Sequence, residues 1–147
     1  MKNIIAEFSG KTLNEIKLIV PKPYWAVGEN ISFILSKDIL PDEGIFKIFF
    51  VKTTSLVQYA EFGEVDLFKL FTADEKNNRR ILRIIHHWTK EEYLDPPKIH
   101  LQPNTKTIFF EDGRHRAKLS YLLNFDQIPV AIHVDDIESI KSFMKLQ

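Results

Sequence analysis

A small mixed α+β domain is what this sequence predicts, and three observations carry the prediction. Hydrophobic residues make up 44% of 147, enough for one buried core in a chain too short for two independent domains of ordinary size. Apolar runs punctuated by proline and glycine fill the first part of the chain, the pattern of short strands. Beyond Gly63, apolar residues recur at helical spacing and alternate with further short apolar runs. A small mixed sheet flanked by helices follows, with residues 1–63 as a β-rich extension packed on the same domain as residues 64–147.

In the first part, Ile16 to Val20, Ile31 to Leu35 and Ile45 to Val51 read as three strands, separated by Pro21, Pro23, Gly28, Pro41 and Gly44. The last of these is apolar on both alternating faces except at Lys47, the pattern of a central strand or of one covered by helices. Tyr24 and Trp25, beside Pro23, fit packing plugs better than the walls of a ligand cleft.

Past Gly63, the segment Val65 to Phe71 leads into Thr72-Ala73-Asp74-Glu75, whose Thr and Glu spacing is that of a capping box at a helix start. Ile81, Ile84, Ile85 and Trp88 then form one apolar stripe, with Lys76 to Arg80 ahead of it as a solvated turn. A second capping box, Thr89-Lys90-Glu91-Glu92, predicts a break and restart before Pro96 and Pro97 end the helix. Ile99 and Ile108 to Phe110 pair as a hairpin around Pro103-Asn104. A helix runs from Arg114 through Leu123, burying Leu119, Leu122 and Leu123, and Asn124 suits the left-handed position that follows. Ile128 to Val134 is a strand opening on proline, and Asp135-Asp136 caps a last helix carrying Ile137, Ile140, Phe143 and Met144.

Twenty Lys plus Arg balance twenty Asp plus Glu, so the whole-chain field does not steer the protein toward nucleic acid, and any anion binding has to be local. The absence of cysteine removes disulfides, thiolate nucleophiles and cysteine-based metal sites. No run approaches the ~20 apolar residues that span a bilayer, and the N-terminus lacks an apolar signal core, so no membrane partner and a cytoplasmic location are expected. The five histidines, His86, His87, His100, His115 and His133, include no pair spaced to face one way on a helix, which argues against a dedicated metal site. No serine-hydrolase elbow is present either.

The chemistry concentrates in Ile108-Phe109-Phe110-Glu111-Asp112-Gly113-Arg114-His115-Arg116. A strand that ends in Asp and Gly at a helix start aims unpaired backbone N–H groups and the positive end of the helix dipole at one point. Arg114, His115 and Arg116 add side-chain donors there, and each guanidinium grips a phosphate through two parallel hydrogen bonds. Asp112 also reads as the N-cap of this helix. Cations at a helix N-terminus cost roughly 0.3–1 kcal/mol each unless an anion compensates them. A phosphate is the expected anion.

The order of these segments, from Val65-Asp66-Leu67 through Pro96-Pro97-Lys98-Ile99 and Glu111-Asp112-Gly113-Arg114-His115-Arg116-Ala117 to Ile128-Pro129-Val130, resembles the ParB/sulfiredoxin-like superfamily over about residues 65–134. That resemblance implies a ParB/sulfiredoxin-like fold for residues 64–147, with nucleotide phosphates held at the motif helix. It places Gly113, His115 and Arg116 on the phosphates and leaves Asp112 as cap, base or magnesium contact. It also implies an acidic residue ahead of the capped helix, where the chain offers Asp74 and Glu75, although Glu75 is also the capping partner of Thr72. Sulfiredoxin chemistry is excluded, because Arg114 stands where that enzyme has its cysteine. A partition role is disfavoured, since only Asp135 to Gln147 follow. The pattern is most similar to a branch with an Asp-Gly-His-His-Arg motif that includes kinases of free serine, with Arg114 replacing the first histidine.

Donor cluster and resemblance together point to a nucleotide-binding enzyme, a phosphotransferase or nucleotide hydrolase. It would use Mg²⁺ with ATP or ADP as the first candidates and CTP as another, and a small molecule or protein as acceptor. A non-catalytic module that docks nucleic-acid backbone or a protein partner is the rival, and a toxin of the same fold is a fainter one. Neutral charge weighs against the nucleic-acid version.

Overall fold

A computed structural model describes Phe8, residues 10–42 and residues 44–147. The described residues form helix α1 (Leu13–Ile19), two 3₁₀ turns (Gly28–Phe33 and Lys37–Ile39), β1 (Phe46–Lys52), α2 (Thr53–Tyr59) and β2 (Ala60–Glu61). There follow α3 (Glu75–Thr89), β3 (Lys98–Leu101), β4 (Ile108–Asp112), α4 (Arg114–Leu122), β5 (Gln127–His133), a 3₁₀ turn (Val134–Asp136) and α5 (Ile137–Lys141). The five strands make one mixed sheet in the order β1-β5-β3-β4-β2. β1 with β5 and β3 with β4 run antiparallel; β3 with β5 and β2 with β4 run parallel. The chain is thus a mixed α/β fold, as the hydrophobic periodicity predicts.

Alternation along the strands separates two clusters. Ile99, Ile108, Ile128, Val130 and Ile132 are buried in the main core together with Leu56, Ile81, Ile85, Trp88 and Leu119 of the helices. Ala131, pointing the other way, joins Phe46, Ala26, Ile34 and Ile39 in a smaller cluster beneath the 3₁₀ turns. Trp25 is a packing plug, its ring edge-on to Trp88 at 5.2 Å. No helix among the described residues is long and apolar enough to cross a membrane.

Several expectations need correction. Ile16 to Val20 is helical, because Thr12 and Glu15 form a capping box: Glu15 N donates to Thr12 Oγ1 at 3.2 Å and Thr12 N to Glu15 Oε1 at 3.0 Å. Ile31 to Leu35 is no ladder strand; it contains a 3₁₀ turn, and the amides of Leu35 and Ser36 donate to the Asp95 carboxylate at 2.8 and 2.9 Å. The expected β-rich character of residues 1–63 is therefore confined, among described residues, to β1 and the two-residue β2. β1 is an edge strand, not a central one. It is apolar on both faces because Val51 belongs to the main core and Phe46 to the smaller cluster.

In the second part, α3 is capped by Asp74, whose carboxylate accepts from Lys76 N at 2.9 Å, so Thr72 and Glu75 form no capping box. Lys76 to Arg80 lie in the first turns of α3 rather than in a loop, with Asn77 buried. Nor does a helix restart at Thr89. Its hydroxyl donates to Ile85 O at 2.7 Å, and Glu91 adopts φ +59° to leave the helix. The hairpin around Asn104 (φ +62°), the helix from Arg114, the left-handed Asn124 and the strand at 127–133 are as predicted. Asp135 and Asp136 lie in a 3₁₀ turn ahead of α5, and the Asp136 carboxylate accepts from Leu101 N at 3.1 Å instead of capping.

Candidate functional site

The turn between β4 and α4 opens a cleft of about 400 Å³, lined by Glu111, Asp112, Gly113, Arg114, His115 and Arg116 and, from α3, by Arg80, Arg83 and Ile84. Its geometry begins with a backbone requirement. Gly113, not Asp112, is the N-cap of α4, and it sits at φ +95°, a region that L side chains avoid. A Cβ at Gly113 would also lie 2.7 Å from Pro97 Cα and 2.9 Å from Arg116 Nη2. Asp112 is instead the last residue of β4, exposed at the mouth of the cleft. It fails as a cap because the left-handed turn at Gly113 already supplies the half-helical residue: Ala117 N donates to Gly113 O at 3.0 Å. The amides of Arg114, His115 and Arg116 have no intrahelical acceptor, as first-turn groups never do.

Two residues apart on a helix, Arg114 and Arg116 point about 200° from one another. They reach the same cleft from opposite walls. Arg114 Nη1 donates to Phe62 O at 3.3 Å, close to Gly63, while Arg116 folds back over Gly113, with Nη2 3.4 Å from Asp112 Oδ2. The Arg116 Nε is buried without a partner among the described residues. Arg80 and Arg83 are exposed along one side of α3 and make no ion pair among the described residues. Four guanidinium groups thus surround one cleft with one long carboxylate contact among them.

His115 registers that concentration of charge. It is buried, and burial together with Arg80, Lys118 and Arg114 pushes its imidazole down to about 4, so it is neutral at pH 7 and has a single N–H to donate. One turn on, Lys118 is fully buried with its Nζ 2.8 Å from Asn77 Oδ1, and burial lowers its pKa. The Asn77 amide in turn donates to Leu70 O at 3.3 Å, which ties α4 through α3 to the loop ahead of it.

Arg80, Arg114 and His115 form the wall shared with a second cleft of about 420 Å³, whose other sides include Glu64, Asp66, Lys69, Asp74 and Asn77. Of the residues predicted from sequence, the structure brings Asp112, Gly113, Arg114, His115 and Arg116 together in the first cleft and sets Asp74 in the second. Glu75, exposed in the first turn of α3, lines neither. Arg80, Arg83, Asn77 and Lys118 escaped the sequence reasoning. Arg80 and Arg83 carried a signal, since a three-residue step beside the apolar stripe at Ile81, Ile84 and Ile85 sets both on one flank of the helix.

Among the described residues no group of three or more His, Asp or Glu is placed to hold a metal ion. No family model, curated protein or solved structure matches the chain.

Proposed function

We propose that the cleft holds the phosphate chain of a nucleotide with Mg²⁺, and that the protein is a phosphotransferase or nucleotide hydrolase of ParB/sulfiredoxin-like type. The observation that carries this reading is the convergence of Arg80, Arg83, Arg114 and Arg116 on the free amides at the start of α4. Like charges gathered with a single long carboxylate contact among them repel one another, so an arrangement of this kind favours a polyanion. Phosphoryl transfer asks little more of a protein than alignment and neutralisation of charge on the moving oxygens, which four guanidinium groups and a helix N-terminus supply.

In this scheme Gly113 lets the phosphates approach the backbone, Arg114 and Arg116 clamp them from opposite walls, and neutral His115 donates one hydrogen bond. Asp112 at the mouth serves as the magnesium contact or as the proton acceptor for an incoming hydroxyl. The second cleft, with Asp74, Asp66 and Glu64, is the side from which an acceptor or a water would enter.

ATP, ADP, CTP and GTP with Mg²⁺, each at ~100 times its Kd, are expected to stabilise the fold by ~2.7 kcal/mol, a rise in Tm of about 5–10 °C. Arg116→Ala is expected to lose that shift. No shift with any nucleotide would sink the reading. The rival, a non-catalytic module on nucleic-acid backbone, draws on exposed Lys76, which continues the charge of Arg80 and Arg83 along α3 beyond the first cleft. Steeply salt-dependent binding of DNA or RNA without nucleotide turnover would favour it.

A further inference from the structure

We infer that the exposed face of α3 is a docking track for a single-stranded polynucleotide, whose phosphates follow the helix while a base stacks on Phe33 beyond its end. The track extends well past the phosphate cradle, and it holds whether or not the cleft takes a nucleotide.

Charge on α3 is segregated. At about 100° per residue, Lys76, Arg79, Arg80, Arg83 and the C-capping Lys90 fall within an arc of about 100°, over about 21 Å of axis. All five are exposed, and none makes an ion pair among the described residues. Half-buried His86 and His87 lie along the same face. Glu75, on the adjoining flank, is the only acid in the helix. The acids that follow it, Glu91 and Glu92, are engaged by Tyr24 Oη at 3.0 Å and His87 Nδ1 at 3.2 Å. Lys76 with Arg80 and Arg79 with Arg83 are like charges one turn apart, a spacing that weakens a helix. The balance of acids and bases over the whole chain thus conceals a local positive stripe, the footprint of a polyanion.

The chemistry of the stripe and of its far end selects the polyanion. Three of the five cations are arginines, whose forked donors match phosphate oxygens in pairs. Arg80 and Arg83 also line the first cleft, so the track runs into it. Beyond Lys90, Tyr93 stacks on Phe33 with ring centroids 5.0 Å apart and planes 26° from parallel. Tyr24 ties this pair to the end of α3: its ring is edge-on to Tyr93 at 5.9 Å, and its carbonyl accepts the Trp88 indole N–H at 3.0 Å. Phe33 is 56% exposed, a ring on which a base from an open strand can stack, whereas a duplex keeps its base faces covered. An acidic protein segment would use the cations and leave the aromatic pair idle. A lipid surface fits less well, because the apolar side of α3 is buried in the core and has none to insert.

The test is fluorescence anisotropy of the full chain with labelled deoxythymidine and uridine oligomers of about 12 nucleotides, at several salt concentrations. Both should bind, with log K falling by about 3 per decade of salt, the counterion release of four or five phosphates on a single strand. Arg79 and Lys90 line neither cleft. Arg79→Gln with Lys90→Gln should therefore weaken both oligomers by more than about tenfold and reduce that slope by about 1.4, with an unchanged circular dichroism spectrum and an unchanged thermal response to ATP. Phe33→Ala should weaken binding by about fivefold or more and leave the slope as it was. A duplex of the same length binding as tightly, a polyglutamate peptide competing as well as the oligomer, or either variant binding like the parent chain would overturn the track. No strand binding beside a clear ATP shift would overturn the track and leave the nucleotide reading standing. Strand binding with no ATP shift would support the track and sink that reading.

Discussion

Strand β4 separates two groups of charged side chains that are handled in opposite ways. On one side, Lys98 lies between Glu111 (2.7 Å) and Asp38 (3.1 Å), His100 Nε2 meets Glu111 at 2.8 Å, and the Asp136 carboxylate takes an amide hydrogen from Leu101. Each carboxylate has a hydrogen-bond donor, and the Lys98 and His100 hydrogen bonds hold the Glu111 carboxyl below its usual range. On the other side, four arginines share one 3.4 Å contact with Asp112. Neutralised charge ties the 3₁₀ segment, through Ser36 and Asp38, to the sheet; charge left open is available to something that is not part of the chain. Under the proposed function, the difference assigns stability and ligand affinity to separate charged groups, which substitutions can pull apart.

The largest effect is expected from Arg83→Ala with Arg116→Ala. Losing two charge-assisted contacts should weaken triphosphate binding by more than about 100-fold in calorimetry, while Tm holds or rises because repulsion is relieved. A fall of several degrees in Tm would break the comparison. Gly113→Ala is the substitution that joins the two roles, since the new methyl strains a φ of +95° and meets Pro97. It should cost about 2–3 kcal/mol of stability in urea unfolding and impair binding as well, through the displaced Arg116.

Lys98→Met should behave in the reverse sense to the arginine pair. It leaves Glu111 and Asp38 without their cation and is expected to lower stability by about 1–2 kcal/mol, discounted for the partial exposure of both carboxylates, with triphosphate affinity falling less than in the arginine pair, because the released Glu111 carboxylate lines the cleft. The most gradual effect is that of pH. Because folding lowers His115 from an ordinary 6.5 to about 4, the unfolded chain binds the extra proton between those values. Stability is therefore complete above about pH 6.5 and declines as pH falls toward 4, by at most about 1.4 kcal/mol for each pH unit crossed. Bound polyphosphate should offset the cations around the imidazole and raise its pKa, visible as a shifted His115 titration in NMR; an unmoved titration would place the ligand away from α4.

How far all this was legible depended on whether the signal was local. The 127–133 strand, the hairpin at Asn104 and the helix from Arg114 announce themselves through alternation, a turn residue and a left-handed stop, each read within a few positions. Ile16 to Val20 misled because five apolar-leaning residues fit a strand or a buried helix equally, and the deciding capping box lay upstream at Thr12. The edge position of β1 was invisible, since pairing partners eighty residues away set strand order. At the cleft, the Asp112 to Arg116 run stood out as a contiguous motif. Its second wall came from a helix about thirty residues earlier, where Arg80 and Arg83 resembled ordinary solvated charge. The burial of Lys118 against Asn77 had no sequence signal, because lysine on a helix is nearly always at the surface.

At the rim of the sheet, Phe50 stands opposite Pro129, and both its backbone groups turn outward to Gln147, at 2.8 and 3.0 Å. Among the described residues that bridge occupies part of the outer margin of β1, where another molecule's extended segment would dock. Clipping the chain a few residues before Gln147 would bare this margin and favour concentration-dependent clumping.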